Sequence, residues 1–339
     1  MMFPELNRIS VLARHEELIE LAAAAQTLRG TQGSRSAINH LLNGIGLRAS
    51  SNYNETYLSE ALDYHLALLY AHLNQPERAS ACIERIRLPP NTGGDQLFSD
   101  HVRGALERHQ QMMEARERGI PSILIASMPR SASASLAQSL SATMNAPVLR
   151  MSAGHFPTYC VIQHWLNSLS PGGAVTHDHF GASSFNIKVL EDAGCRDIFV
   201  LVRDPRASAA SFVNMMLAPY RESSSSDYIA HRIIEAALQS FYPWLADWMT
   251  AERTSRLRVH WLKSIDVRND MGGTIAGILQ NFRSLYPAVE TYLDATKEVR
   301  ANFVSGSDNA WRTVVSPAGQ ELLWQGLPEG VAELLELQP

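Results

Sequence analysis

Three short patterns in the chain combine residue types that could handle an anion and move a proton. The first is Ser127-Met-Pro-Arg-Ser-Ala-Ser-Ala-Ser135, directly after the apolar run Ser122-Ile-Leu-Ile-Ala126. A strand that turns tightly into a helix presents unpaired backbone N–H groups and a partial positive charge, which suits an anion. Ser131, Ser133 and Ser135 add hydroxyl donors, and Arg130 adds a planar fork matched to phosphate or sulfate oxygens. The second pattern, Ile198-Phe-Val-Leu-Val-Arg-Asp-Pro, places Arg203 at a strand end and Ser211 eight residues on. Asp204 and Pro205 suit a helix start, and eight residues are about two turns at about 3.6 per turn, so the serine returns to the arginine's side. The third is Thr176-His-Asp-His-Phe180, where an imidazole can take a proton near neutral pH. His177 is the first candidate for such a base and His179 the second, with Asp178 either orienting an imidazole or acting as base itself. Plainer readings stand beside each pattern: a serine-capped helix, an ordinary strand-to-helix turn, and polar surface histidines. A His-x-His metal pair needs a third ligand that the sequence does not indicate, so no metal is expected.

These residues need elements to carry them. After Gly119-Ile-Pro121, short apolar runs at about 122–126, 147–149, 173–176, 197–202 and 257–260 alternate with helical stretches. That alternation predicts an α/β domain with a central parallel sheet, in which ligands bind beyond the C-terminal strand ends. The loops after Ala126, Thr176 and Val202 are therefore where chemistry belongs. Leu257-Arg-Val-His-Trp261 predicts a last strand followed by a long helix to Tyr286, and the aromatic segment Tyr242–Trp248 predicts a core helix. Residues 1–118 read as an all-α region, and 119–339 as the α/β domain. Within the first, Leu66, Ala67, Tyr70, Ala79 and Ile83 match the knob positions of one tetratricopeptide-like helix pair near 60–90. The preceding stretch does not repeat the pattern, which favours a helical cap over a peptide-binding array. Asn91-Thr-Gly-Gly-Asp95 marks a loop.

Composition bounds the partners. The 339 residues are 45% hydrophobic and 19% charged with net charge −5, so no global basic field favours nucleic acid or an anionic membrane. Lys188, Lys263 and Lys297 are the only lysines, which leaves cationic chemistry to arginine. Cys82, Cys160 and Cys195 are far apart, form no CxxC pair and suit a reducing compartment. No apolar run approaches the about 20 residues of a membrane span. A cytoplasmic protein is expected, with a homodimer among the states left open.

The same residues resemble the PAPS-dependent sulfotransferases, including their bacterial members, whose sulfuryl donor is 3′-phosphoadenosine 5′-phosphosulfate (PAPS). That family writes its 5′-phosphosulfate loop P-[KR]-[ST]-G-[ST]-[ST] after the first strand. Pro129-Arg-Ser-Ala-Ser-Ala134 matches it, with Ala132 in place of the glycine and Ala134 in place of a hydroxyl. The family's 3′-phosphate is held by an arginine ending a central strand and a serine eight residues on, the spacing of Arg203 and Ser211. Thr176-His177 resembles its T-H-x-P turn, where the catalytic base sits in members that transfer to hydroxyls. Phe303, Gly306 and Trp311 match the family's terminal F-R-K-G-x-x-G-x-W loop, whereas Val304 and Ser305 stand where arginine and lysine belong and the usual Y-E-D is missing.

The resemblance covers about 120 to 320 and implies a P-loop-like three-layer α/β/α fold. It implies PAPS as donor and the bisphosphate PAP as product. Arg130, Ser131, Ala132, Ser133, Ala134 and Ser135 would cradle the 5′-phosphosulfate, and Arg203, Ser211 and the backbone N–H of Gly306 the 3′-phosphate. Arg300 or Arg312 stands near enough to replace a missing cation. The acceptor is a hydroxyl or amine of a small molecule, carbohydrate or lipid. Two other classes stay open: a P-loop-like kinase or nucleotide hydrolase, although the G-K-[ST] signature is missing, and a non-catalytic nucleotide-binding helical scaffold.

Overall fold

A short apolar run buried on both faces is stable only where its backbone is paired, and the central runs find that condition in a parallel sheet. The chain is represented by a computed structural model in which residues 15–44, 62–63, 66–67, 69–70, 75–83, 85, 107–108, 110–153, 156–161, 163–293, 296–299 and 309–338 are described. It divides into two compact units, Met1–Glu114 with Ile162–Ser168, and Ala115–Val161 with Leu169–Pro339.

In the first unit, α1 (His15–Gln32) and α2 (Ser34–Gly44) pack against each other through small residues, with Ala22, Ala25, Ala37 and Leu41 buried. Gly33 joins them at φ 87°, a left-handed turn that costs glycine least. A third helix, α3, spans Pro76–Ile83. Leu66, Ala67, Tyr70 and Ala79 are all buried, and buried Asp63 accepts from Arg29 (2.7 Å) and Arg85 (3.0 Å). The loop read at 91–95 lies outside the described residues.

The second unit is built on the sheet. Its strands are β1 (Ile125–Ser127), β2 (Val148–Leu149), β5 (Val175–Thr176), β6 (Asp197–Val202) and β7 (Arg258–Lys263), with β3 (Ser152–Ala153) and β4 (Cys160–Val161) forming a small antiparallel pair beside it. The pairs β2–β5, β1–β6 and β6–β7 are all parallel. Parallel bridges from Ile123 to Val175 and from Ala126 to Asp178 join β5 to β1, which gives the order β2-β5-β1-β6-β7. The α/β class and the parallel sheet expected from the apolar runs are thus present.

Strand parity sorts the core. Ile123, Ile125, Val175, Phe199 and Leu201 share one cluster with Leu136 and Leu140 of α4 (Ser133–Met144). The opposite parity, Leu124, Ala126, Ile198, Val200 and Val202, is equally buried. Helix α5 (Ser184–Asp192) follows β5, and α6 (Pro205–Met216) follows β6; α7 (Ser226–Ala236) then runs through a π-helical turn into α8 (Tyr242–Thr254). Tyr242, Trp244 and Trp248 of α8 are buried, and the Trp244 indole donates to the Phe180 carbonyl (2.9 Å). The helix expected after the last strand is two helices, α9 (Ser264–Asn269) and α10 (Met271–Gln280). Asp270 divides them because its carboxylate caps the second by accepting from the Gly273 N–H (2.8 Å). The chain then runs through α11 (Pro317–Gln325).

Asn186 of α5 closes the region between the small hairpin and the β5 loop. Its side chain is 1% exposed, accepts from the Val161 N–H (2.8 Å) and donates to the carbonyls of Tyr159 and Gly181, both at 2.9 Å. Asn186→Leu keeps the branched outline of the side chain and strands three buried backbone groups, so a loss of about 2–4 kcal/mol is expected in denaturant unfolding.

Candidate functional site

Because parallel strands begin and end together, their C-terminal loops meet at one edge. There they line a cleft of about 870 Å³. Beyond β1 the chain turns sharply: Arg130 (φ 67°) and Ala132 (φ 69°) are both left-handed. Between them Ser131 is fully buried and its hydroxyl donates to the Met128 carbonyl (2.6 Å), closing the turn from beneath. Ala132 is the N-cap of α4 and offers no side-chain cap, so the first-turn N–H groups of that helix are left to other acceptors. Arg130, Ala132, Ser133, Ala134 and Ser135 line the cleft; Ser131 lies below them.

Beyond β6, Asp204 caps α6 by accepting from the Arg206 N–H (2.9 Å), which leaves Arg203 at the strand end. The Arg203 guanidinium donates to the Arg130 carbonyl (3.0 Å), and Arg130 Nε donates to the Ser211 hydroxyl two turns into α6 (3.0 Å). Thus three of the residues singled out from spacing meet, although Arg130 is 73 positions from Arg203 and 81 from Ser211.

Beyond β5 the backbone stays extended, and alternate side chains part ways. Asp178 is fully buried and accepts from the Met151 N–H (2.9 Å), the Ser152 hydroxyl (3.0 Å) and Arg150 (3.4 Å). This carboxylate organises the β2–β3 segment and does not line the cleft. His177 and His179 do line it. His179 Nδ1 lies 2.8 Å from the Ser127 carbonyl, so it carries the proton and donates; Nε2 is then the basic nitrogen. Nδ1 of His177 is buried with no hydrogen-bond partner. Burial pushes both imidazoles below their ordinary value, opposed by the nearby Asp178 charge, so both favour the neutral form.

The electrostatics of the cleft run against those of the chain as a whole. Its lining includes Arg130, Arg203, Arg268 and the two histidines, and among the described residues it includes no aspartate or glutamate. Several lining residues carry no sequence signature. Phe156 and Tyr159 come from the β3–β4 connection, whose strands are too short to show alternation. Ser264 and Arg268 follow β7 and would have been found by the strand-end rule that found Arg203. Gly306, with Arg300, Val304 and Ser305, lies outside the described residues. Trp311 lines the cleft, whereas Arg312 stacks on its ring (4.9 Å) and donates to the Gln338 carbonyl (3.3 Å). Arg206, 2% exposed, pairs with Asp204 and sits over the rings of both Trp311 (4.9 Å) and Trp324 (5.4 Å). Among the described residues no cluster of three His, Cys, Asp or Glu side chains could hold a metal ion, and no helix is long and apolar enough to cross a membrane.

No protein-family profile matches the chain, and no curated protein matches it in sequence. Among solved structures it is similar to mouse sulfotransferase SULT7A1 complexed with PAP, at 15% identity and a TM-score of 0.41, over 67% of this chain and 94% of that one.

Holding an alanine left-handed at position 132 costs about 1–2 kcal/mol, which glycine avoids at the expense of a looser unfolded chain. Ala132→Gly should therefore raise stability by up to about 1 kcal/mol, measured by urea unfolding, with the cleft preserved.

Proposed function

We propose that the chain is a PAPS-dependent sulfotransferase. The observation that carries this reading is the linkage Arg203–Arg130–Ser211 at the edge of a cleft whose described lining has three arginines and no carboxylate. Such a surface favours a ligand with several negative charges, and a 3′,5′-bisphosphate brings charge at two separated points. On this reading the sheet is the middle of a P-loop-like three-layer domain, residues 119–339, preceded by a helical region.

The first turn of α4, with Ser133, Ser135 and Arg130, would hold the 5′-phosphosulfate. Arg203 and Ser211 would hold the 3′-phosphate. An acceptor hydroxyl oxygen forms the new S–O bond as the bond from sulfur to the bridging 5′-phosphate oxygen breaks. That electron pair leaves with PAP, and Arg130 stabilises the charge as it grows. The hydroxyl proton goes to a histidine. His179 suits the task because the Ser127 carbonyl fixes its tautomer with Nε2 unprotonated. His177, whose buried Nδ1 has no partner to orient the ring, is better placed to position substrate.

The remaining wall supports an apolar acceptor. Phe156, Tyr159, Phe212, Met215 and Ile233 line it, and Tyr159 packs edge-on to His179 with ring centroids 6.1 Å apart. Among the described lining residues an ammonium would find no carboxylate, so a neutral hydroxyl on an apolar or aromatic skeleton fits better than an amine or a polyhydroxylated sugar.

PAP should raise the melting temperature by mass action, and ATP with magnesium should not. Arg203→Ala should weaken PAP by about 10–100-fold in titration calorimetry, the worth of a charged hydrogen bond. Unchanged PAP affinity in that variant, or stabilisation by ATP–magnesium alone, would overturn the assignment. His179→Ala should lower kcat by about 10²–10⁴-fold with PAP affinity retained, and His177→Ala by less. Since burial lowers the base's pKa, the neutral, active form should dominate at neutral pH. Activity should then decline only as pH falls below about 6.5.

A further inference from the structure

We infer that Arg268, presented by the end of β7, grips the 3′-phosphate of the same nucleotide and replaces the cations missing at Val304 and Ser305. This rests on the sulfotransferase reading and assigns a contact to a strand end that the sequence pattern left empty. The geometry begins with register. Val202 of β6 pairs with Lys263 of β7, so Arg203 and Ser264 leave the sheet side by side, at about the 4.8 Å spacing of neighbouring strands. Ser264 is the first residue of α9, is 2% exposed, and lines the cleft together with Arg203. Arg268 stands four residues on, one helical turn above Ser264. Its Nε donates to the Ser264 carbonyl (3.4 Å), which directs the side chain back along the helix toward the strand end where Arg203 lies.

Charge supports the same conclusion. The 5′ end of the nucleotide has the α4 N-terminus, Arg130 and two serine hydroxyls available, whereas the 3′ end has Arg203 and Ser211. A phosphate monoester carries close to two negative charges at neutral pH. Arg312 is stacked on Trp311 outside the lining. Arg268 lines the same cleft, and the helix that carries it starts at Ser264, beside Arg203 across the strand ends.

The test separates the 3′-phosphate from the rest of the nucleotide. PAP and 5′-AMP, which differ only in that phosphate, are titrated calorimetrically into the full chain, into Arg268→Gln and into Arg268→Lys. The expected result is that wild type prefers PAP over AMP. Arg268→Gln should lose about 10–100-fold of its PAP affinity with AMP affinity changed less than about twofold, and Arg268→Lys should recover part of the loss. Equal weakening of PAP and AMP, or no weakening of either, overturns the role of Arg268 while the sulfotransferase reading survives. A wild-type chain that binds neither nucleotide, or binds both equally, overturns both. Melting curves without ligand show whether each variant is folded, and Arg268→Lys keeps the charge where the glutamine variant does not fold.

Discussion

Arg130 is held left-handed so that its carbonyl faces Arg203 while its own guanidinium reaches Ser211. Two cations are thereby drawn to one strand edge. Their mutual repulsion is softened by a carbonyl and a hydroxyl, and the described residues that line the cleft include no carboxylate. Acidic partners would be the usual way to stabilise such a pair, and they would also occupy the place of an anionic ligand. The described lining gathers three arginines, in a chain whose net charge is −5. Both arginines are half-buried, and the left-handed turn that holds them is fixed by the sheet behind it. The Met128 N–H donates to the Leu201 carbonyl (2.9 Å), and the Ser131 hydroxyl seals the turn.

A second constraint sets the histidine edge of the cleft. Asp178 belongs to the sheet through its backbone, since the Ser127 N–H donates to its carbonyl (2.7 Å) and its own N–H donates to Ile125 (3.0 Å). Its side chain at the same time collects the β2–β3 segment. With residue 178 turned to that side, the strand's period of two sends His177 and His179 to the other. One buried carboxylate therefore aims two imidazoles without touching the cleft.

Much of this was legible in the residues. Continuous apolar runs mark strands buried on both faces, and the sheet contains each of them. The eight-residue interval from Arg203 to Ser211 is a helical interval, so it survives any uncertainty about where the helix begins. What stayed hidden did so for physical reasons. The β3–β4 pair is two residues per strand, too short for a period to register, yet it delivers Phe156 and Tyr159. Asp178 looked like a participant because a carboxylate between two histidines has the right chemistry. Only the fold shows that its acceptors are used by Met151 and Ser152. The break at Asp270 was masked because Val267, Met271, Ile275 and Ile278 keep helical spacing across it. Ala132 stood out as a departure from a glycine pattern, and its φ of 69° gives that pattern its reason.

The sandwich of Arg206 between Trp311 and Trp324 bears on how the protein is made. Arg206 lies in the first turn of α6, beside the residues that would meet the nucleotide, and its guanidinium also donates to the Gln338 carbonyl (3.3 Å). A ribosome reaches those partners more than a hundred residues after Arg206 itself. Until then a buried guanidinium has no aromatic faces to lie between, and the cleft has no Trp311 wall. The Trp311 wall of the cleft and the aromatic faces around Arg206 are thus complete only once the C-terminal residues have been made.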